Sequence, residues 1–181
     1  MDIINEPLPG LLIIKPKVFA DVRGHFFESY RQDLFKSIGV PTLYVQDNQS
    51  LSNSGIIRGL HFQKPPHAQD KLVRVIKGKV LDVVVDIRKS SPTYGKSFSI
   101  ELSEYNFLLM FIPKGFAHGF ETLEDNTIFT YKCTDYYHPQ SEGGIAWNSP
   151  ELEIPWTAIS PVLSAKDTQN SNFNDFVSPF L

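Results

Sequence analysis

Cysteine is nearly absent. Cys133 is the sole thiol in 181 residues, so no intrachain disulfide can form. A lone thiol fits a reducing cytoplasm, the compartment expected here. No apolar stretch approaches the ~18 residues that a membrane span needs. The start, Met1-Asp2-Ile3-Ile4-Asn5-Glu6-Pro7, lacks the basic region and apolar run of a secretory signal. A soluble protein is expected, with no membrane partner. Excess positive charge is missing as well. The net charge is −3 and no basic run is interleaved with aromatics, so nucleic acid is not an expected partner. Gly-x-Ser-x-Gly, P-loop and dinucleotide fingerprints do not occur. Neither an internal repeat nor a low-complexity linker divides the chain. It reads as one domain over residues 1–181, a barrel at about 10–150 followed by a looser, irregular tail at about 151–181.

Aromatic and apolar residues are plentiful. Fourteen Phe, seven Tyr and a 41% hydrophobic content favour strands and pockets over a helical bundle. Strand candidates are Gly10–Phe19, His25–Tyr30, Leu43–Leu51, Gly55–Gln63, Lys96–Leu102, Leu108–Ile112, Gly119–Leu123 and Asn126–Thr134. Lys71–Lys77 and Lys79–Arg88 flank Gly78 and predict a hairpin with a tight turn. In the second of these, Leu81, Val83, Val85 and Ile87 share an apolar face. Val80, Asp82, Val84, Asp86 and Arg88 share a mixed one, the alternation of a barrel wall. One helix is expected, Arg31 to Ile38, stopped by Gly39 and Pro41. Many short strands with Gly, Pro and Asn punctuation predict an all-β sandwich or jelly roll with short peripheral helices.

The stretch Arg58-Gly59-Leu60-His61-Phe62 carries the most chemical information. Histidine alone has an ordinary pKa, about 6.5, at which it accepts a proton near neutrality. His61 reads either as a residue satisfied within a sheet or as a pocket base. Strict alternation puts Arg58 and His61 on opposite faces, so a shared pocket requires a bulge near Gly59. His118, in Pro113-Lys114-Gly115-Phe116-Ala117-His118-Gly119-Phe120, reads as a turn residue or as one polar group in an aromatic wall with Phe116 and Phe120. A metal centre needs about three or four His, Cys or carboxylate ligands. None stand near His61 in ligand spacing, His67 sits in a Pro-Pro-His loop that reads as exposed, and Arg58, Lys71 and Arg74 repel cations. No metal and no cofactor are expected. The same cations, with Arg23, suit an anion such as phosphate. Tyrosines 131, 136 and 137 read as strand aromatics, base-stacking surfaces or proton donors. Nothing near Cys133 activates it as a nucleophile.

Seven segments in order, Asp21–Glu28, Gln46–Ser50, Arg58–Gln63, Ser91–Gly95, Pro113–Phe120, Tyr131–Tyr137 and Leu163–Asp167, resemble the dTDP-4-dehydrorhamnose 3,5-epimerases, small cupin-type enzymes of deoxysugar nucleotide synthesis. The resemblance runs from about Ile13 to Asp167. It implies a cupin-like jelly-roll barrel, a homodimer, no metal and no organic cofactor. His61 matches the family's proton acceptor, Asp167 the carboxylate that orients it, and Tyr131 the proton donor. Lys71 resembles the residue near the developing oxyanion, and His118 lines the same pocket. Arg58 falls on a substrate-binding position. Arg23, Phe26 and Glu28 sit in a segment resembling an arm that reaches the partner subunit's site, so Gly24–Tyr30 is expected against the partner. Gln46, Asp47, Asn48 and Ser50 match a nucleotide-binding strand, Tyr137 the aromatic stacked on thymine, and Glu142 and Lys166 further substrate contacts. The implied reaction inverts C3 and C5 of dTDP-4-dehydro-6-deoxy-D-glucose. Competing readings are a single-position epimerase, a 3,4-ketoisomerase and a non-catalytic sugar-binding cupin. The ketoisomerase should lack a tyrosine in the register of Tyr131.

Overall fold

The computed structural model describes residues 1–181. Thirteen strands and one α-helix follow in chain order: β1 Asp2–Leu8, β2 Leu11–Lys15, β3 Phe19–Asp21, β4 Gly24–Phe26, α1 Gln32–Ser37, β5 Gln46–Ser52, β6 Ile57–Gln63, β7 Lys71–Lys77, β8 Lys79–Asp86, β9 Ser97–Ser103, β10 Leu109–Ile112, β11 Phe116–Thr122, β12 Thr127–Cys133 and β13 Glu142–Gly144. A six-stranded sheet runs β1-β2-β10-β7-β12-β5 and faces a five-stranded sheet ordered β13-β6-β11-β8-β9. All pairings in both are antiparallel. This is the expected jelly roll. The β3–β4 hairpin stands apart as a two-stranded ribbon.

Alternation sorts the side chains into an inside and two outsides. Ile13, Val73, Val75, Val80, Val84, Met110, Phe116, Phe120 and Phe129 meet between the sheets as the largest apolar cluster. The opposite faces of the five-stranded sheet give Leu60, Phe62, Val83, Val85 and Ile87 to a second cluster. A third, with Ile14, Leu72, Leu109 and Phe111, lies outside the six-stranded sheet under Phe35 of α1. Fully burying that phenylalanine is worth about 1.5–3 kcal/mol, enough to hold a six-residue helix with no side-chain N-cap.

Two expectations are corrected. Lys71–Lys77 and Lys79–Asp86 do not form a hairpin: β7 pairs with β10 and β12, whereas β8 pairs with β9 and β11. Gly78 instead carries the chain from one sheet to the other. Its φ of +75° is left-handed, and a Cβ there would stand 2.3 Å from Thr127 Oγ1. Its backbone is held across the barrel edge, its N–H donating to Glu104 Oε1 at 2.7 Å and its carbonyl accepting from Glu104 N at 3.0 Å. Nor is the C-terminal tail loose. Its regular elements are 3₁₀ turns at Pro150–Leu152, Asp167–Gln169 and Phe173–Asp175 and single β-bridges at Val162 and Phe180, and Leu152 and Phe180 are buried on the five-stranded sheet. The apolar face of β8 thus packs beneath the tail, and its mixed face points into the barrel. Strand β1 and the short β13 extend the expected set, while Gly10–Phe19 divides at Pro16 and His25–Tyr30 keeps strand geometry only through Phe26.

Candidate active site

The site is built by one irregularity in an otherwise regular wall. Between β6 and β11 the register places His118 opposite His61 but Phe120 opposite Arg58, so β6 holds one extra residue over that span. This is the bulge that shared use of Arg58 and His61 demands. Gly59 makes it possible: its φ is +137°, and a Cβ there would stand 2.5 Å from the Gly119 Cα. Two glycines therefore face each other at the bulge, and side chains on both flanks turn inward. Arg58, His61, Lys71, His118, Tyr131 and Asp167 line a cavity of about 540 Å³ between the sheets.

Asp167 reaches the cavity through the tail. A parallel bridge pairs Val162 with Ile56, and Ile57 N donates to the Val162 carbonyl at 3.1 Å. The chain then turns so that Asp167 Oδ1 lies 2.5 Å from His61 Nε2. Burial alone would raise the Asp167 pKa. Hydrogen bonds from His61, Ser164 and the Gly59 backbone outweigh it and hold the carboxyl below its usual range. The anionic form of Asp167 is thereby favoured, and its contact with Nε2 leaves Nδ1 as the other ring nitrogen of His61.

His118 and its partner lie deeper. Its Nε2 is 2.8 Å from Oδ1 of the fully buried Asp82. Burial raises the Asp82 pKa and lowers that of His118. On the facing sheet, Lys71 from β7 and Tyr131 from β12 point inward, the ammonium 5.8 Å from the phenol ring centre. Burial lowers the Lys71 pKa and raises that of Tyr131, so the phenol holds its proton above the ordinary tyrosine value.

A smaller recess lined by Gln46, Asn48, Tyr137 and Glu142 shares His61, Lys71 and Tyr131 with the main cavity. The Tyr137 hydroxyl donates to Glu142 Oε2 at 2.6 Å, and Lys166 Nζ contacts the same oxygen. Burial would raise the Glu142 pKa, but Lys166 and Tyr137 together lower it. The Tyr137 ring itself is exposed, open to a planar group.

A profile of the dTDP-4-dehydrorhamnose 3,5-epimerase family matches residues 5–175. The dTDP-4-dehydrorhamnose 3,5-epimerase of Salmonella typhimurium is 51% identical over 169 residues, 92% of each chain. The chain belongs to the dTDP-4-dehydrorhamnose 3,5-epimerase family. Two solved structures agree with that membership. A Bacillus anthracis dTDP-4-dehydrorhamnose 3,5-epimerase with TDP and PPi bound superposes with a TM-score of 0.93 at 44% identity, covering 94% of this chain and 98% of that one. A Legionella pneumophila dTDP-6-deoxy-D-glucose-3,5-epimerase in complex with dTDP-4-keto-L-rhamnose gives 0.92 at 44% identity, covering 97% and 94%.

Not every residue singled out from the sequence meets in this epimerase's own cavity. On β5, Gln46, Asn48 and Ser50 face inward, while alternation turns Asp47 outward, where it pairs with Lys132 at 2.5 Å. Arg23, Phe26 and Glu28 lie on or beside the β3–β4 hairpin, which packs on its own chain through His25 and Phe27 against Phe107. Arg23 is bound to Asp21 and Glu28 to Arg31, outside the cavity. Phe19, Val22 and Phe26 on the hairpin are exposed apolar side chains. Asp82 is the functional candidate that the sequence reading left without a role. Its signal was present: a carboxylate on the inward face of an otherwise valine-rich strand, Val80-Leu81-Asp82-Val83-Val84-Val85.

Proposed function

We propose that His61 is the base, Tyr131 the acid and Lys71 the oxyanion partner in the inversion of C3 and C5 of dTDP-4-dehydro-6-deoxy-D-glucose, with dTDP-4-dehydro-L-rhamnose as product. That 3,5-epimerisation is the reaction of the family to which the chain belongs. One observation carries the assignment of roles: His61 and Tyr131 come from different sheets and line one cavity. A base on one wall and an acid on the other suit removal of a proton from one face of a sugar ring and its return to the opposite face.

The C4 ketone acidifies the hydrogens on both C3 and C5, and it is itself the electron sink. His61 takes the C–H proton, the C–H electron pair becomes the new C=C bond, and the carbonyl π pair moves to oxygen. The Lys71 ammonium stabilises that enolate oxygen, a contribution typically worth about 2.7–4 kcal/mol for one such donor. Tyr131 then protonates the carbon from the other face, and solvent restores the phenol and removes the proton from His61. Positioned acid–base groups contribute about 10²–10⁴-fold each. Arg58 is suited to the diphosphate. Tyr137 is suited to stacking on thymine, worth roughly 1–3 kcal/mol by analogy with other base–aromatic contacts. Gln46, Asn48 and Ser50 supply inward polar groups, and the Ser50 hydroxyl is buried without a partner. Incubation with the substrate in D₂O tests the whole scheme by NMR. Deuterium at both C3 and C5 is expected, and uptake at one position alone would reduce the assignment to a single-position epimerase.

The pH dependence separates Lys71 from Tyr131. Burial lowers the lysine and raises the tyrosine, so with rising pH the ammonium loses its charge while the phenol keeps its proton. The alkaline limb of activity therefore falls as pH rises through the lowered lysine value. Lys71→Arg, whose guanidinium stays charged, is expected to move the alkaline limb of kcat/KM upward. An unmoved limb would remove Lys71 from this role.

The working form is a homodimer in which the β3–β4 arm, with Arg23, Phe26 and Glu28, completes the partner's site. Support comes from the arm's exposed Phe19, Val22 and Phe26 and from its two strands pairing only with each other. Light scattering at micromolar concentration should give twice the chain mass. A fully active monomer would overturn the arm's role.

A further inference from the structure

Outside the catalytic cavity, one side-chain cluster has the donor set of a transition-metal site. His67, Asp135 and His138 each offer a ligand atom, and the three atoms lie within 4.8 Å of one another. His67 Nδ1 is 3.2 Å from Asp135 Oδ2. In a tetrahedral zinc site with bonds of about 2.0–2.1 Å, neighbouring ligand atoms stand roughly 3.3 Å apart, so this edge already has coordination length. The His138 ring lies against that of His67, with centroids 3.5 Å apart. That stacking keeps a His138 nitrogen within 4.8 Å of the other two ligand atoms.

The backbone under these side chains is fixed. Gln63 is buried at the end of β6, and its Nε2 donates to the carbonyls of His67 at 2.7 Å and Tyr136 at 3.0 Å. Its Oε1 accepts the His138 N–H at 2.7 Å. Gln69 Nε2 donates to the Asp135 carbonyl at 2.7 Å. Two glutamines therefore hold the β6–β7 loop and the segment after β12 at the spacing the ligands need. These contacts fix the backbone positions from which the three side chains reach one another. The three side chains are half-buried, which leaves an approach for an ion and for water.

We propose that His67, Asp135 and His138 form a binding site for a divalent transition-metal ion of the zinc, nickel or copper class, with water in the remaining positions. Two imidazoles and one carboxylate suit those ions, whereas magnesium and calcium require sites built from oxygen. The site is separate from the epimerisation chemistry, in which His61 and Asp167 form their own pair.

Calorimetric titration of the intact protein with Zn²⁺ and with Ni²⁺ tests this. One ion per chain is expected, unaffected by excess Mg²⁺. His67→Ala and His138→Ala should each weaken binding by roughly tenfold or more, since loss of even an outer-shell partner costs about 10–100-fold. His61→Asn should leave the binding unchanged. With Cu²⁺, electron paramagnetic resonance should report coupling to two imidazole nitrogens, reduced to one in His138→Ala. Three results would overturn the proposal: no binding of Zn²⁺ or Ni²⁺, binding that survives His138→Ala at full strength, or binding abolished by His61→Asn, which would place the ion in the catalytic cavity.

Discussion

His61→Asn is expected to abolish deuterium uptake at C3 and C5 together, with kcat lowered by about 10²–10⁴-fold, the range for a positioned general base. The two positions should fail as one because the cavity offers a single histidine held by an anionic carboxylate. His61 is tied to Asp167 at 2.5 Å, and that carboxyl is kept below its ordinary range by the hydrogen bonds it accepts. The other cavity histidine is arranged differently. His118 is tied to Asp82, and burial lowers the His118 pKa and raises that of Asp82. Its contact with a carboxyl whose charge is disfavoured makes it a weaker base than one oriented by an anion. Deuterium exchange at C3 and C5 in the variant, followed by NMR against the wild-type rate, decides the matter. Persistent exchange at one of the two positions would mean that a second base serves it, and His118 would be the first residue to replace. The substitution keeps a polar side chain of similar reach at a bulged, partly exposed position, so the fold should survive it; thermal unfolding checks this.

Much of this site was legible because it depends on local irregularity. Gly59 interrupts a strand pattern, and Arg58 and His61 cannot share a face without an extra residue. The register shift against β11 supplies that residue. The aromatic wall of Phe116 and Phe120 around His118 follows from simple alternation, as does the inward position of Tyr131 among Phe129 and Cys133. What sequence could not supply was sheet membership. Lys71–Lys77 and Lys79–Asp86 carry every local mark of a hairpin, yet a single glycine sends the second strand to the opposite sheet. The deciding contacts, Thr127 and Glu104, lie 49 and 26 residues away from Gly78. The tail misled for a related reason. Its Pro, Ser and Asn content predicts irregular structure, which it has, but irregular backbone can still be packed when Leu152 and Phe180 find a sheet face. Asp82 illustrates a third limit. A carboxylate inside a barrel looks like any half-buried strand residue until its partner on the neighbouring strand is known, and that partner, His118, is 36 residues away.

Tyr131→Phe should separate two events that His61→Asn stops together. Without the phenol, His61 can still remove a proton, and Lys71 can still hold the enolate. The histidine's captured proton exchanges with solvent and returns to the same face of the carbon. Deuterium should therefore enter C3 or C5 at a rate within about tenfold of wild type, while net inversion falls by about 10²–10⁴-fold for loss of the general acid. Removal of one hydroxyl from a half-buried ring leaves the packing with Phe129 intact, with centroids 6.2 Å apart, so the variant should fold. Trapping the product with a stereospecific reductase and comparing its configuration with its deuterium content gives both rates from one incubation. If exchange and inversion fall in step, the phenol is needed to form the enolate as well as to quench it, and Tyr131 would then act on the C4 oxygen. If neither falls, the proton on the far face comes from water or another group, and the opposed walls of the barrel position the sugar without supplying its acid.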